Sequence, residues 1–153
     1  MNTPSTNQPL ARTIALLFLT AVAVNFPWEL AQAPLYEWAG KSSNALWHCF
    51  VASLGDGFLV LVIFGAGWLA LRRPNWFLNP GARGYLVMLI TGLLIAVGIE
   101  LIAVHASKRW MYTELMPRMP GLEIGIVPVI QMLILPPLIF RMASRYQGAS
   151  AEK

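Results

Sequence analysis

The sequence is short of charge, of acids above all, and nearly free of cysteine. Only 12% of its 153 residues are charged, and seven of them are Asp or Glu. The eleven Lys and Arg are spread along the chain with no basic block, so the net charge of +4 sets nucleic acid aside as a partner. Cys49 is the single cysteine, which rules out an internal disulfide and any CxxC motif. No HxxH, HxxxH or ExxH spacing occurs, so neither a metal nor another cofactor is expected. Internal repeats and low-complexity blocks are absent too, which excludes solenoids and biased linkers.

What the chain does have is apolar length. It is 57% hydrophobic, with a mean hydropathy of +0.59, well beyond an ordinary soluble domain. Spanning a bilayer takes roughly 20 apolar residues, and four segments qualify: 13–36, 45–71, 85–105 and 122–142. Short loops separate them. The expected fold is all-α: an integral-membrane four-helix bundle with antiparallel neighbours and kinked first and fourth helices. Residues 1–12 and 143–153 read as polar tails around this single domain, 13–142. The first segment resembles a signal peptide, with Arg12 before it and Ala31-Gln32-Ala33 as a cleavage box, but Pro34 directly after the box opposes cleavage.

The Lys/Arg bias predicts the orientation. Arg12, Arg72, Arg73, Arg83, Arg141, Arg145 and Lys153 fall on one side, against Lys41, Lys108, Arg109 and Arg118 on the other. Seven against four puts both termini in the cytoplasm, in a membrane of the bacterial inner type. Trp76 and Phe77, in the loop "RRPNWFLNPGARG", are expected in the headgroup zone. Residues 107–121 are amphiphilic, with Tyr112, Met116 and Met119. They read as an interfacial segment over the bundle mouth, either anchoring loop or functional lid.

Against this apolar background the polar residues stand out. Asn25, Glu29, Gln32 and Tyr36 sit at i, i+4, i+7 and i+11, one stripe of a helix. Pro27 should bend that helix and free the carbonyl of Ala23. At 1.5 Å per residue, Glu29 and Glu100 lie roughly 24 Å from the cytoplasmic ends and Asp56 roughly 22 Å, one layer of the outer half. His48 falls further out than Asp56, and Gln131 deeper, near mid-membrane. Intramembrane acids commonly mark ligand or ion pathways, although each could merely lock helices together by hydrogen bonds. Asp56 lies in Gly55-Asp56-Gly57, which permits close helix approach. Glu100 follows Gly92 and Ala96 at four-residue spacing, a small-residue face pointing inward. A metal site built from Glu29, His48, Asp56 and Glu100 lacks any ligand spacing to support it, and the ordinary reading of His48 is an interfacial side chain.

Trp28, Tyr36, Trp38, Trp47, Trp110 and Tyr112 gather toward the same end, partly as an ordinary interfacial belt. Carboxylates beside indole faces suit a bound cation or a developing carbocation. A carboxyl removed from water is also a candidate proton donor near neutral pH. Pro128 should kink the fourth helix, free the carbonyl of Ile124 and place it near Gln131. The candidate acids are therefore Glu29, Asp56 and Glu100. The candidate binding residues are Asn25, Trp28, Gln32, Tyr36, His48, Trp110, Tyr112 and Gln131.

Two stretches here resemble known membrane families. "NFPWE" resembles the Asn-x-x-Trp-Glu element of fungal membrane-bound terpene cyclases. "ELAQAPLY" is similar to the Glu…Gln…Pro…aromatic helix of the sterol-isomerase and sigma-2-receptor superfamily, one residue shorter in spacing and on the first span. The resemblance covers about a dozen residues and implies a role for Glu29 alone, as acid or cation-stabilising group.

Three functions remain in competition. The first is an enzyme or binder, of isomerase or cyclase type, for a lipophilic isoprenoid- or sterol-like molecule entering from the membrane lipid. The second is a proton-coupled exporter of lipophilic cations, which would bring a homodimer with it. The third is a non-catalytic subunit or assembly factor of a membrane complex. Leu16, Leu17, Val60, Leu61, Leu89 and Ile139 make the inner half apolar, which favours a one-sided pocket over a through-path.

Overall fold

The computed structural model describes residues 10–37, 44–109 and 111–151, with side chains up to Gln147. Four long helices make up the fold: α1 (Leu10–Gln32), α2 (Ala45–Leu71), α3 (Gly81–Leu101) and α4 (Ile126–Ala151). All four are long and apolar enough to cross a membrane, so the chain is a multi-pass membrane protein. Each helix packs on the next, and α4 closes back onto α1. The two ends of that last contact show the antiparallel course. Gln147 donates to the Thr13 hydroxyl at 3.0 Å near one end, and Gln131 meets Asn25 near the other.

The buried faces follow helical periodicity. On α1 they are Thr13, Leu17, Ala21, Asn25, Glu29 and Gln32; on α3, Gly84, Met88, Gly92, Ala96 and Glu100. Gly92 sets the α3–α4 approach, since a Cβ there would run into the backbone carbonyl of Met132. Of the glycines flanking Asp56, only Gly57 is a close-approach point, against Phe18 of α1; Gly55 faces open space. Leu17, Val60, Ile63, Met88 and Ile139 form a dry middle layer.

Several expectations need correction. Trp76 and Phe77 do not rest among headgroups. Both are buried, with the Trp76 ring against Gly67 and its N–H donating to the Phe64 carbonyl at 3.0 Å. Burying an indole with a satisfied N–H beside a residue lacking a side chain gains more than surface anchoring. Pro128 does not kink α4 but opens it as the third residue, in the first turn, where a missing N–H breaks no helical bond. The Ile124 carbonyl is not free either, because the Met119 N–H binds it at 2.8 Å. Pro27 does lie inside α1, and Pro136 and Pro137 inside α4, where an interior proline removes a helical bond without ending the helix. The helices also reach into the expected tails, α1 starting at Leu10 and α4 running to Ala151, where Gln147 is held by Thr13.

Beyond α3 the chain makes a π-helical turn, Ile102–Ala106, closed by the Ser107 N–H on the Ile102 carbonyl at 2.7 Å. The segment that follows folds back over the end of the bundle. Glu37 N–H binds the Met111 carbonyl at 3.0 Å, and Thr113 N–H the Leu35 carbonyl at 2.9 Å. Pro34, at the short 3₁₀ turn Ala33–Leu35, adds an acceptor for the Thr113 hydroxyl at 3.2 Å.

Candidate functional site

The polar stripe of α1 meets α2 and α4 through one amide. The Gln131 side-chain nitrogen lies 2.9 Å from Asn25 Oδ1, 2.9 Å from Glu29 Oε1 and 2.9 Å from Asp56 Oδ2. The two carboxyl oxygens are therefore no further apart than twice that distance. Gln131 thus stands level with the carboxyls and not deeper, because α4 starts at Ile126 and places it in the second turn. Gln32 completes the arrangement, donating to Glu29 Oε1 at 2.6 Å and to Gln131 Oε1 at 3.0 Å. Asn25 spends one N–H on the Ala21 carbonyl of its own helix.

Acceptors outnumber donors here. Gln131 offers two N–H groups to three oxygens, while Gln32 Oε1 is buried with no partner. Flipping the Gln32 amide does not help, since its oxygen would then face Glu29 Oε1 and Gln131 Oε1, both acceptors. No Lys, Arg or His among the described residues balances Glu29 or Asp56; the donors are Gln32 and Gln131 to Glu29 and Gln131 to Asp56. Trp28, next to Glu29 in sequence, packs half-buried against the apolar core of Leu17, Ala21 and Val60, with its indole N–H buried and unpartnered. Cys49, fully buried on α2, points its thiol at the Glu29 carbonyl from 3.6 Å.

Glu100 belongs to the same end but has its own partner. The Tyr112 hydroxyl donates to Glu100 Oε2 and accepts the Gly125 N–H at 2.9 Å. Tyr112 packs on Tyr36, their ring centres 5.6 Å apart, with Met116 beside them and the Arg118 guanidinium 5.8 Å above the Tyr112 ring. Tyr36 joins the two halves of the site.

The structure thus gathers Asn25, Glu29, Gln32, Asp56 and Gln131 into one network and sets Tyr36, Tyr112 and Glu100 next to it. It does not bring His48 in: that ring is exposed, with Nδ1 3.1 Å from the Asn44 carbonyl of its own helix. Trp47 is exposed as well, while Trp38 and Trp110 lie outside the described residues. No group of three His, Cys, Asp or Glu among the described residues is placed to hold a metal ion. Sequence reasoning missed Thr113, which pins the covering segment by backbone pairing and so leaves no side-chain pattern to read. Asn25, Glu29, Gln32 and Gln131 are buried in the cluster while Asp56 is half-buried at its edge, and two clefts in the molecule lie at the opposite end. Compared with protein-family models, curated proteins and solved structures, the chain matches none.

Proposed function

We propose that this protein binds a lipophilic small molecule, isoprenoid- or sterol-like in its body, at the carboxyl end of the bundle. Glu29 with Asp56 would stabilise a positive charge on it or deliver a proton to it. One observation carries the reading: two acids held together by Gln131, Glu29 buried and Asp56 half-buried, with no cation beside them among the described residues. Such a site favours whatever brings positive charge or N–H and O–H donors. The rings of Tyr36 and Tyr112 supply apolar faces for the rest of the molecule. The half-buried Asp56, beside open space at Gly55, is the accessible edge of the site, and lifting of the segment over Leu35 and Glu37 would open the rest. The dry layer at Leu17, Val60 and Ile139 supports a one-sided site over a transport path.

We place this end outside and both termini in the cytoplasm. In support, Arg12, Arg72, Arg73, Arg83, Arg141 and Arg145 belong to the other end, against Lys41, Lys108, Arg109 and Arg118 at this one.

Native mass spectrometry of the detergent-purified protein tests the ligand reading. A co-purifying lipid-like mass held by the wild type and lost from Glu29→Gln and Asp56→Asn, with the helical fold intact, is the expected result. Equal retention by all three proteins would overturn it.

A further inference from the structure

The end opposite the carboxyl cluster carries a different feature. Between α3 and α4 a cleft of about 240 Å³ opens over buried Phe77, Met88 and Phe140, with Leu78, Pro137 and Tyr85 as its accessible apolar wall and Ser144 and Arg141 toward its rim. A second, more open cleft of about 390 Å³ shares Pro80 with it and is bordered by Arg73 and Arg83. Arg73 is fixed there by a 2.9 Å bond to the Asn79 carbonyl. No acid among the described residues lies at this end, and none pairs with Arg83 or Arg141. Among the described residues these guanidinium groups are positive charges without counter-charge, beside a cleft that opens onto the bundle surface at Tyr85 (42% exposed).

We propose that this cleft binds an anionic phospholipid, with its phosphate on Arg141 and the start of its acyl chains against Tyr85 and Pro137. Guanidinium is the side chain best matched to phosphate oxygens, which it binds through paired N–H donors. Basic pockets between transmembrane helices are suited to anionic headgroups. A free phosphate would use the arginine but not the apolar wall. The wall, open to the bundle surface at Tyr85, selects the membrane-borne source of the same chemistry. The site is independent of the carboxyl cluster and stands or falls without it.

The test is native mass spectrometry and thermal unfolding in detergent, with phosphatidylglycerol, phosphatidylcholine or inorganic phosphate added to the full chain. Phosphatidylglycerol should bind and raise the unfolding temperature, and the other two should not. Arg141→Gln should weaken phosphatidylglycerol binding by roughly fivefold, the effect of one arginine near an anionic surface. Arg145→Gln removes the same charge one turn on, outside the cleft lining, and should change binding less than twofold. Equal losses in the two variants would mean diffuse surface charge and overturn the proposal. So would equal binding of phosphatidylcholine, or equal stabilisation by inorganic phosphate; neither comparison depends on a variant folding.

Discussion

Gln131 and Asp56 meet across the middle of the bundle, the amide nitrogen of the first donating to Oδ2 of the second at 2.9 Å. Helices α2 and α4 are not neighbours in the ring, so this bond crosses it, and the same nitrogen serves Asn25 and Glu29 on α1. Gln131→Leu removes the shared donor and leaves buried acceptors unpaired. It should lower stability by roughly 1–3 kcal/mol, read as a fall in unfolding temperature in detergent. An unchanged unfolding temperature would show that the network does not hold the helices.

Glu29→Gln and Glu29→Leu should separate chemistry from structure. The amide keeps the size and most of the hydrogen bonding while removing the negative charge. It should therefore fold and insert normally yet lose ligand affinity or turnover. Leucine strands Gln32 and Gln131, and should cost stability as well. Full function in Glu29→Gln would shift the role to Asp56 or Glu100, or dissolve the enzyme reading.

Tyr112→Phe tests the covering segment. The hydroxyl ties Glu100 to the Gly125 N–H, so its loss unfastens the segment from both α3 and the start of α4. Hydrogen exchange within 111–125 should speed up by about tenfold, the equivalent of roughly 1.4 kcal/mol and in the range of one buried hydrogen bond. Exchange in the helix interiors should stay the same. Uniform acceleration throughout the chain would instead mean global destabilisation.

Gly92→Ala has opposite expectations from propensity and from packing. Helix propensity alone predicts a gain of about 1 kcal/mol. The Cβ would collide with the Met132 carbonyl, a backbone atom that cannot swing aside, and overpacking of this kind costs about 1–3 kcal/mol. The net effect should be a loss, seen as a lower unfolding temperature. A gain would show that α3 and α4 pack less closely than described.

Cysteine labelling at the two tails should show neither accessible from outside the cell. Labelling of both from outside would reverse the orientation and put the carboxyl cluster in the cytoplasmic half.

The spans were legible because apolar length is a property of consecutive residues, and the α1 stripe because Asn25, Glu29 and Gln32 keep helical spacing. The start of α4 was not. Leu122, Ile124 and Ile126 look like continuous span, yet Gly121 and Glu123 take left-handed backbone (φ 83° and 53°) and hold a turn there. That offset hid Gln131's true level. Trp76 was misread because an aromatic at a span end suits both the headgroup zone and a pocket over Gly67. Only the three-dimensional neighbour decides. The contact of Tyr36 with Tyr112 rests on main-chain pairing across 76 residues, which composition does not encode.

The wide turn at Ile102–Ala106 makes the length of the chain matter there as much as its composition. Its closing bond spans one residue more than an α-helical bond. Removing any one residue from 102–106 would let the helix close regularly, and everything beyond would swing by about 100° around the α3 axis. Tyr112 would then leave Glu100, and the strand-like contact with Tyr36 would lose its register. Conservative replacements along this turn should be absorbed, whereas a single-codon deletion should uncover the carboxyl end while leaving all four spans in the membrane.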